Sequence, residues 1–157
     1  GGDRLTFRVD VVEAAELPVA DVAILGKGSS DPYVTVEVGK ESFKSHHIDK
    51  TLNPVWNVSY QAEDVKNSEE LVVKVWDYDL VGAPDFLGKV ILPLNELVLN
   101  AEQDKWYPLL LEEDAQRKVR EEKYDKIVHV VVYAAKGLMP GFKRLDLDPF
   151  VKLRLVS

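Results

Sequence analysis

The sequence predicts an all-β protein that folds as an antiparallel sandwich, and two observations carry that prediction. The first is alternation, because the apolar residues Leu5, Phe7 and Val9 alternate with polar or charged residues, a period of two that is typical of a half-buried strand. The second is the regular spacing of turn-forming residues. Short β-forming segments recur at intervals of about 10–15 residues and are separated by Gly, Pro and Asn, which is the pattern of a sandwich.

Seven segments before Glu112 have the composition of strands. Tyr33 to Val38 is rich in β-branched residues and ends at Gly39-Lys40, which indicates a hairpin turn. The Asn53-Pro54 dipeptide marks another turn. Residues 95–99 are compatible with one helical turn. The predicted strands are residues 5–11, 33–38, 42–48, 55–62, 71–76, 86–92 and 106–109.

The composition changes after residue 111, so we divide the chain into residues 3–111, 112–126 and 127–157. The middle segment is almost entirely charged or amide residues and is either a solvated helix or a linker. The last segment contains two further strand-like stretches, 127–133 and 150–155, and repeats the pattern of residues 5–33. Two strands cannot bury a core alone. The segment therefore begins a second domain, supplies an eighth strand to the first, or pairs between chains.

Composition excludes several classes of function. A net charge of −7 argues against free nucleic-acid binding, which needs a basic surface. The chain has no cysteine, and this excludes disulfides and thiolate metal sites. No apolar run approaches the roughly 18 residues that would cross a bilayer. No constellation of residues indicates an enzyme, and the three histidines are interpreted as structural, with His46 and His47 on a strand.

Five aspartates lie in two loops that are flanked by predicted strands. Asp21 and Asp31 belong to one loop, and Asp77, Asp79 and Asp85 to the other. If the fold brings these loops together, the carboxylates repel one another unless protons or a cation neutralise them. An all-oxygen site of this kind suits calcium, which takes several oxygen ligands without strict geometry. The alternative is a pair of ordinary polar loops whose aspartates form Asx turns.

The motifs SDPYV, LNPVWN, WDYD and DFLG occur in that order, and the stretch from Leu5 to Leu110 that contains them resembles a C2 domain. The resemblance implies an eight-stranded antiparallel Greek-key β-sandwich whose loops bind calcium. It implies two calcium ions, with three as the alternative. The implied ligands are the side chains of Asp21, Asp31, Asp77, Asp79 and Asp85 and the backbone carbonyls of Val22 and Tyr78.

The first loop is long, because Asp31 follows Asp21 by ten positions. In this respect the sequence is most similar to the first C2 domain of the extended synaptotagmins and tricalbins, which tether the endoplasmic reticulum to the plasma membrane. Residues 127–155 resemble the opening of a second C2 domain. In that unit Asp146 and Asp148 fall near ligand positions, but Phe142 stands where an earlier loop aspartate is expected.

The resemblance also implies a partner, an anionic phospholipid membrane that binds in the presence of calcium. Apolar residues at the loop tips would enter the lipid interface: Ile24, Leu25, Leu80 and Val81. Lys40, Lys44 and Lys50 lie on or beside the 42–48 strand and are candidates for binding phosphoinositides, the alternative being a solvated polar strand.

The expected setting is cytoplasmic and peripheral to a membrane, in a tethering, lipid-transfer or vesicle-trafficking protein and with contact sites of the endoplasmic reticulum as one location. A neighbouring C2 domain is a further candidate partner, and no small-molecule substrate is expected. The alternative function is a calcium-independent module that binds a protein or a phosphoinositide.

Overall fold

The computed structural model describes residues 4–18, 30–110 and 127–136. These residues form two four-stranded antiparallel sheets that face each other, so the predicted sandwich is confirmed. The strands are β1 (Arg4–Ala15), β2 (Pro32–Val38), β3 (Glu41–Lys44), β4 (Val55–Lys66), β5 (Glu70–Asp77), β6 (Asp85–Pro93), β7 (Glu102–Pro108) and β8 (Ile127–Lys136). In this described part of the chain no helix is long and apolar enough to cross a membrane.

The strand order is β4-β1-β8-β7 in one sheet, here called sheet A, and β3-β2-β5-β6 in the other, sheet B. β8 lies inside sheet A, where it pairs with β1 on one side and with β7 on the other. Its residues 128, 130, 132 and 134 belong to the same core as β1. The predicted strand at 127–133 is therefore an inner strand of the first sandwich, and residues 112–126 and 137–157 lie outside the described residues.

The core lies between the sheets because alternate residues of each strand point inward. Phe7, Val36 and Val73 are among its fully buried side chains. Trp56 is also buried, and its indole Nε1–H donates a hydrogen bond to the carbonyl of Pro32 at 3.1 Å. This bond ties β4 in sheet A to the first residue of β2 in sheet B.

Several predicted boundaries differ from the structure, and most strands are longer than predicted: β1 continues to Ala15, β4 to Lys66 and β8 to Lys136, and β7 begins at Glu102. The helical turn is a short 3₁₀ helix at Leu94–Glu96, slightly earlier than expected. β3 ends at Lys44 rather than at Ile48. Beyond Lys44 the pairing with β2 becomes irregular, because the Ser45 hydroxyl replaces a backbone group and accepts a hydrogen bond from the Val34 N–H at 2.9 Å.

The two sides of the sandwich are closed differently. After β7 the chain crosses from sheet A to sheet B, where Leu110 and Lys89 of β6 exchange backbone hydrogen bonds. Leu109 packs against Gly88, where a Cβ would come within 3.0 Å of the leucine side chain, so glycine allows this approach. On the other side β3 and β4 are the edge strands of their sheets. There the β3–β4 connection crosses between the sheets, and a groove lies between the two edge strands.

Buried charges link the strands of sheet A. Arg8 on β1 forms ion pairs with Glu102 on β7 at 2.9 Å and with Asp10 at 3.4 Å. His129 on β8 lies between two carboxylates, with Nδ1 3.2 Å from Glu13 and Nε2 in a short contact with Asp104. Each of these two groups joins β1 to β7, across β8.

Candidate metal-binding and membrane-contact site

Three of the predicted ligands lie at the ends of neighbouring strands in sheet B. Asp77 is the last residue of β5 and is paired directly with Asp85, the first residue of β6. Asp31 immediately precedes β2, and its carbonyl accepts a hydrogen bond from the Tyr78 N–H at 2.9 Å. Residues paired across a ladder point to the same face. The fold thus brings carboxylates from three strands to one end of the sandwich, here called the loop end.

Backbone N–H groups hold these aspartates in place. Oδ1 of Asp77 accepts from the Asp31 N–H at 2.7 Å, and Oδ1 of Asp31 accepts from the Lys50 N–H at 2.7 Å. Asp79 closes an Asx turn by accepting from the Val81 N–H at 3.0 Å. The predicted Asx turn is therefore present at Asp79, and long-range backbone contacts position Asp31 and Asp77.

The ligands differ in exposure. Asp77 is 1% exposed, whereas Asp79 in the β5–β6 loop and Asp85 at the start of β6 are both exposed. Among residues 4–18, 30–110 and 127–136, no three acidic or histidine side chains are grouped closely enough to hold a metal ion. Asp21 and Val22 lie outside the described residues. The donor set is nevertheless composed of hard oxygen ligands, which fits calcium because that ion accepts them without strict geometry.

The connection between β3 and β4 forms another wall of this end, which the sequence did not indicate. The His47 ring stacks on the Tyr78 ring with centroids 4.0 Å apart and an interplanar angle of 2°. Our prediction that His46 and His47 lie on a strand is wrong, because β3 ends before them. The chain leaves the strand at Lys44, and the irregular connection that follows carries His47 to Tyr78.

The β5–β6 loop presents apolar side chains to solvent. Leu80 is 83% exposed and Val81 is 82% exposed, so neither folds back onto the core. They directly follow Asp79, at the end of the sandwich where the acidic residues collect. Ile24 and Leu25 lie outside the described residues.

The three candidate phosphoinositide lysines do not form one patch. Lys40 is in the β2–β3 turn, at the end opposite the aspartates, and Lys50 is at the loop end. Lys44 lies between them, with its Nζ 4.9 Å from the centre of the Tyr33 ring. Lys44 and Tyr33 share the outer face of sheet B with Trp76 and Lys74, which the sequence analysis did not single out. The alternation of residues along β5 would have placed Trp76 and Lys74 on this face if the pairing of β5 with β2 had been known.

Comparisons with known proteins agree with this geometry. The C2 domain family model matches residues 5–109, which is most of the chain, so the chain belongs to the C2 domain family. Membrane and lipid binding is the general function of C2 domains of the synaptotagmin type, and such domains are typically not catalytic.

Synaptotagmin-5 of Arabidopsis thaliana is 37% identical over 110 residues, which cover 68% of this chain and 19% of that protein. The paired C2 domains of extended synaptotagmin 2, in the calcium-bound state, superimpose with a TM-score of 0.71 at 29% identity, covering 88% of this chain and 48% of that one. A single C2 domain of plant extended synaptotagmin 1 gives a TM-score of 0.67 at 25% identity, covering 88% of this chain and 100% of that one. The predicted resemblance is confirmed, and the chain spans about a fifth of the curated relative.

Proposed function

We propose that this domain binds anionic phospholipid membranes in a calcium-dependent manner through its loop end. The observation that carries the proposal is the meeting of Asp31, Asp77 and Asp85 at one end of sheet B, beside the exposed Leu80 and Val81. Asp21, Asp79 and the carbonyls of Val22 and Tyr78 complete the proposed ligand set. Two calcium ions, or three, would be held there. The calcium-bound relative supports the choice of metal.

The mechanism combines an electrostatic change with shared coordination. Without a cation, the carboxylates repel an anionic surface. The proposed ligand residues would hold calcium, which would cancel that repulsion and supply coordination to oxygen atoms of lipid headgroups. The exposed apolar pair can then enter the interface, where each side chain would contribute about 1–2 kcal/mol. Calcium and lipid therefore each favour binding of the other.

Sedimentation with phosphatidylserine vesicles tests the proposal. The wild-type chain should pellet with vesicles in calcium and stay in solution in chelator. The double variant Asp77→Asn, Asp79→Asn should stay in solution in both. Unchanged pelleting of that variant in calcium would refute the proposal. Glu70→Gln with Glu96→Gln is the matched control, since it removes the same charge from exposed positions at the opposite end.

The outer face of sheet B supports a second candidate function, the calcium-independent binding of phosphoinositides around Lys44. A lysine near an anionic surface contributes about 1 kcal/mol. Its cation–π contact with Tyr33 positions the Lys44 ammonium on this face. Vesicles that contain phosphatidylinositol bisphosphate would then retain the protein in chelator, and Lys44→Gln would weaken that retention. Equal retention of Lys44→Gln and wild type would exclude this function.

We also propose that residues 127–136 are the eighth strand of this domain in the intact protein. The pairing of β8 with both β1 and β7 supports this, as does the match of 88% of the chain to a whole C2 domain of a relative. A chain truncated after Leu110 should fail to unfold cooperatively, whereas one truncated after Lys136 should unfold as the full chain does. In a larger protein, the domain would act on the cytoplasmic side as a peripheral membrane contact. Sites between the endoplasmic reticulum and the plasma membrane are one such setting.

A further inference from the structure

We propose that the free edge of β4 is a docking site for an extended, arginine-bearing segment of a partner protein. The site is a groove of about 450 Å³ between β3 and β4. Its lining residues are Glu41, Phe43, Ser59, Tyr60, Gln61 and Glu63. None of these residues belongs to the proposed calcium site, so this contact would operate without calcium.

The groove runs along an edge rather than over a face. Successive residues of a strand point to opposite faces of its sheet. A groove that is lined by the consecutive residues 59, 60 and 61 must therefore follow the edge of β4. Within the described chain β4 pairs with β1 alone, so its outer row of backbone N–H and C=O groups faces this groove. A row of that kind accepts an added strand.

Two left-handed residues set the usable length of the edge. Asn57 has φ of 50° and Asp64 has φ of 57°, and the pairing with β1 shifts register beside each of them. Between them, residues 58–62 pair with β1 without a break in register, and Glu63 follows directly after this run. Because strands pair residue by residue, the edge at residues 58–63 would pair with an incoming segment of about six residues.

The side chains of the groove select a cation. The rings of Phe43 and Tyr60 stack across the gap between the two edge strands, with centroids 4.8 Å apart and an interplanar angle of 12°. Glu41 and Glu63 are exposed at the same groove, and its described lining contains no basic residue. A planar guanidinium stacks on aromatic rings and pairs with carboxylates, which makes arginine the best match.

The groove also contains acceptors that have no donor. The side-chain amide of Gln61 is oriented by Glu63, because its Nε2–H donates to that carboxylate at 2.8 Å. This orientation leaves Oε1 of Gln61 buried without a hydrogen-bond partner in the described structure, and the Tyr60 hydroxyl is in the same state. Burial raises the pKa of Tyr60 to about 12, so this hydroxyl is neutral at physiological pH. An arginine brings five N–H donors to such a site.

Three synthetic peptides test the proposal with the full 157-residue chain. Each is a capped heptamer of alternating threonine and valine, with arginine, glutamate or proline at its centre. Titration followed by amide chemical shifts should show the arginine peptide perturbing residues 58–63 equally in calcium and in chelator. The glutamate peptide should bind at least about fivefold more weakly, because its carboxylate is repelled by Glu41 and Glu63, which attract the arginine. The proline peptide should also bind more weakly, because it lacks the arginine and because proline cannot donate a backbone hydrogen bond to the edge.

A variant pair separates this groove from general acidity. Glu41→Gln with Glu63→Gln should weaken the arginine peptide about fivefold, whereas Glu70→Gln with Glu96→Gln should leave its affinity unchanged. The proposal is overturned if the 58–63 amides are unperturbed at millimolar arginine peptide. It is equally overturned if the three peptides bind alike, or if both double variants behave alike. Failure here would leave calcium-dependent vesicle binding intact, and the reverse also holds.

Discussion

The acidic residues of sheet A and those of the loop end have different kinds of partner. In sheet A, Asp10 and Glu102 share Arg8, and Glu13 and Asp104 flank His129. At the loop end, backbone N–H groups hold Asp31 and Asp79, and within the described residues no cationic side chain pairs with either. An N–H group positions a carboxylate but does not cancel its charge. In sheet A the acidic side chains are therefore paired with basic side chains of the same chain, whereas at the loop end the charges of Asp31 and Asp79 are positioned by the backbone but not cancelled.

The largest effect on stability should come from removing Arg8, the cation that pairs with two carboxylates in sheet A. Arg8→Met should lower the free energy of unfolding by about 3–5 kcal/mol, because it leaves Glu102 and Asp10 buried without their cation. The Arg8 side chain is 4% exposed, so water cannot replace it. Urea denaturation measures the change. Arg4→Met is the control, since Arg4 pairs with Asp64 at the surface and its loss should cost at most about 1 kcal/mol. Similar losses for both variants would break the comparison.

The next effect concerns the loop end. Leu80→Ser combined with Val81→Ser should leave the free energy of unfolding unchanged, because both side chains are exposed in the free protein. Membrane affinity in calcium should fall by about 2–4 kcal/mol, from the loss of two apolar insertions. Vesicle titration by tryptophan energy transfer measures this change. Val98→Ser, exposed but distant from the loop end, should bind as wild type, and an equal loss in that control would contradict the assignment.

A smaller effect should follow from His129. Replacing it by glutamine keeps a hydrogen-bonding side chain of similar size but removes the ring whose two nitrogens contact Glu13 and Asp104. We expect a loss of about 1–3 kcal/mol in thermal or chemical unfolding. His46→Gln is the control, because His46 is exposed. No difference between the two histidine variants would show that sheet A does not depend on these two contacts of His129.

The smallest effect should appear in the pH dependence. Burial raises the pKa of Glu102 above its ordinary 4.5, and the neighbouring Arg8 lowers it in part. Because the folded state then holds the proton more tightly than the unfolded state, this carboxyl group makes stability fall as pH rises from about 4.5 through its folded pKa. Glu102→Gln should remove that part of the slope. A slope unchanged in the variant would contradict this account of Glu102.

Most of the fold follows from local patterns. β1, for example, was predicted from the alternation of Leu5, Phe7 and Val9, whose side chains are buried in the core, and β2 was predicted from its β-branched residues. The placement of β8 was left among alternatives, because nothing in residues 127–133 specifies that they enter between β1 and β7. Pairing partners are set by the whole sheet and not by a strand's own sequence.

In the candidate site, too, some features follow from local sequence and others depend on how the strands pair. Asp31, Asp77 and Asp85 were predicted from motifs, and the sheet places them together at one end. The stack of His47 on Tyr78 was missed, because a local reading extended β3 through His47. The three lysines were grouped by sequence proximity, yet the chain turns spread them along the molecule. Ring contacts and the distribution of charge over a face depend on strand ends that the sequence does not mark.

Calcium titration with and without phosphatidylserine vesicles tests the central claim most directly. If the loop end is neutralised by calcium that is shared with lipid, half-saturation should move to lower calcium when anionic vesicles are present, and neutral phosphatidylcholine vesicles should have little effect. The same half-saturation in all three conditions, or no calcium binding at all, would contradict the account.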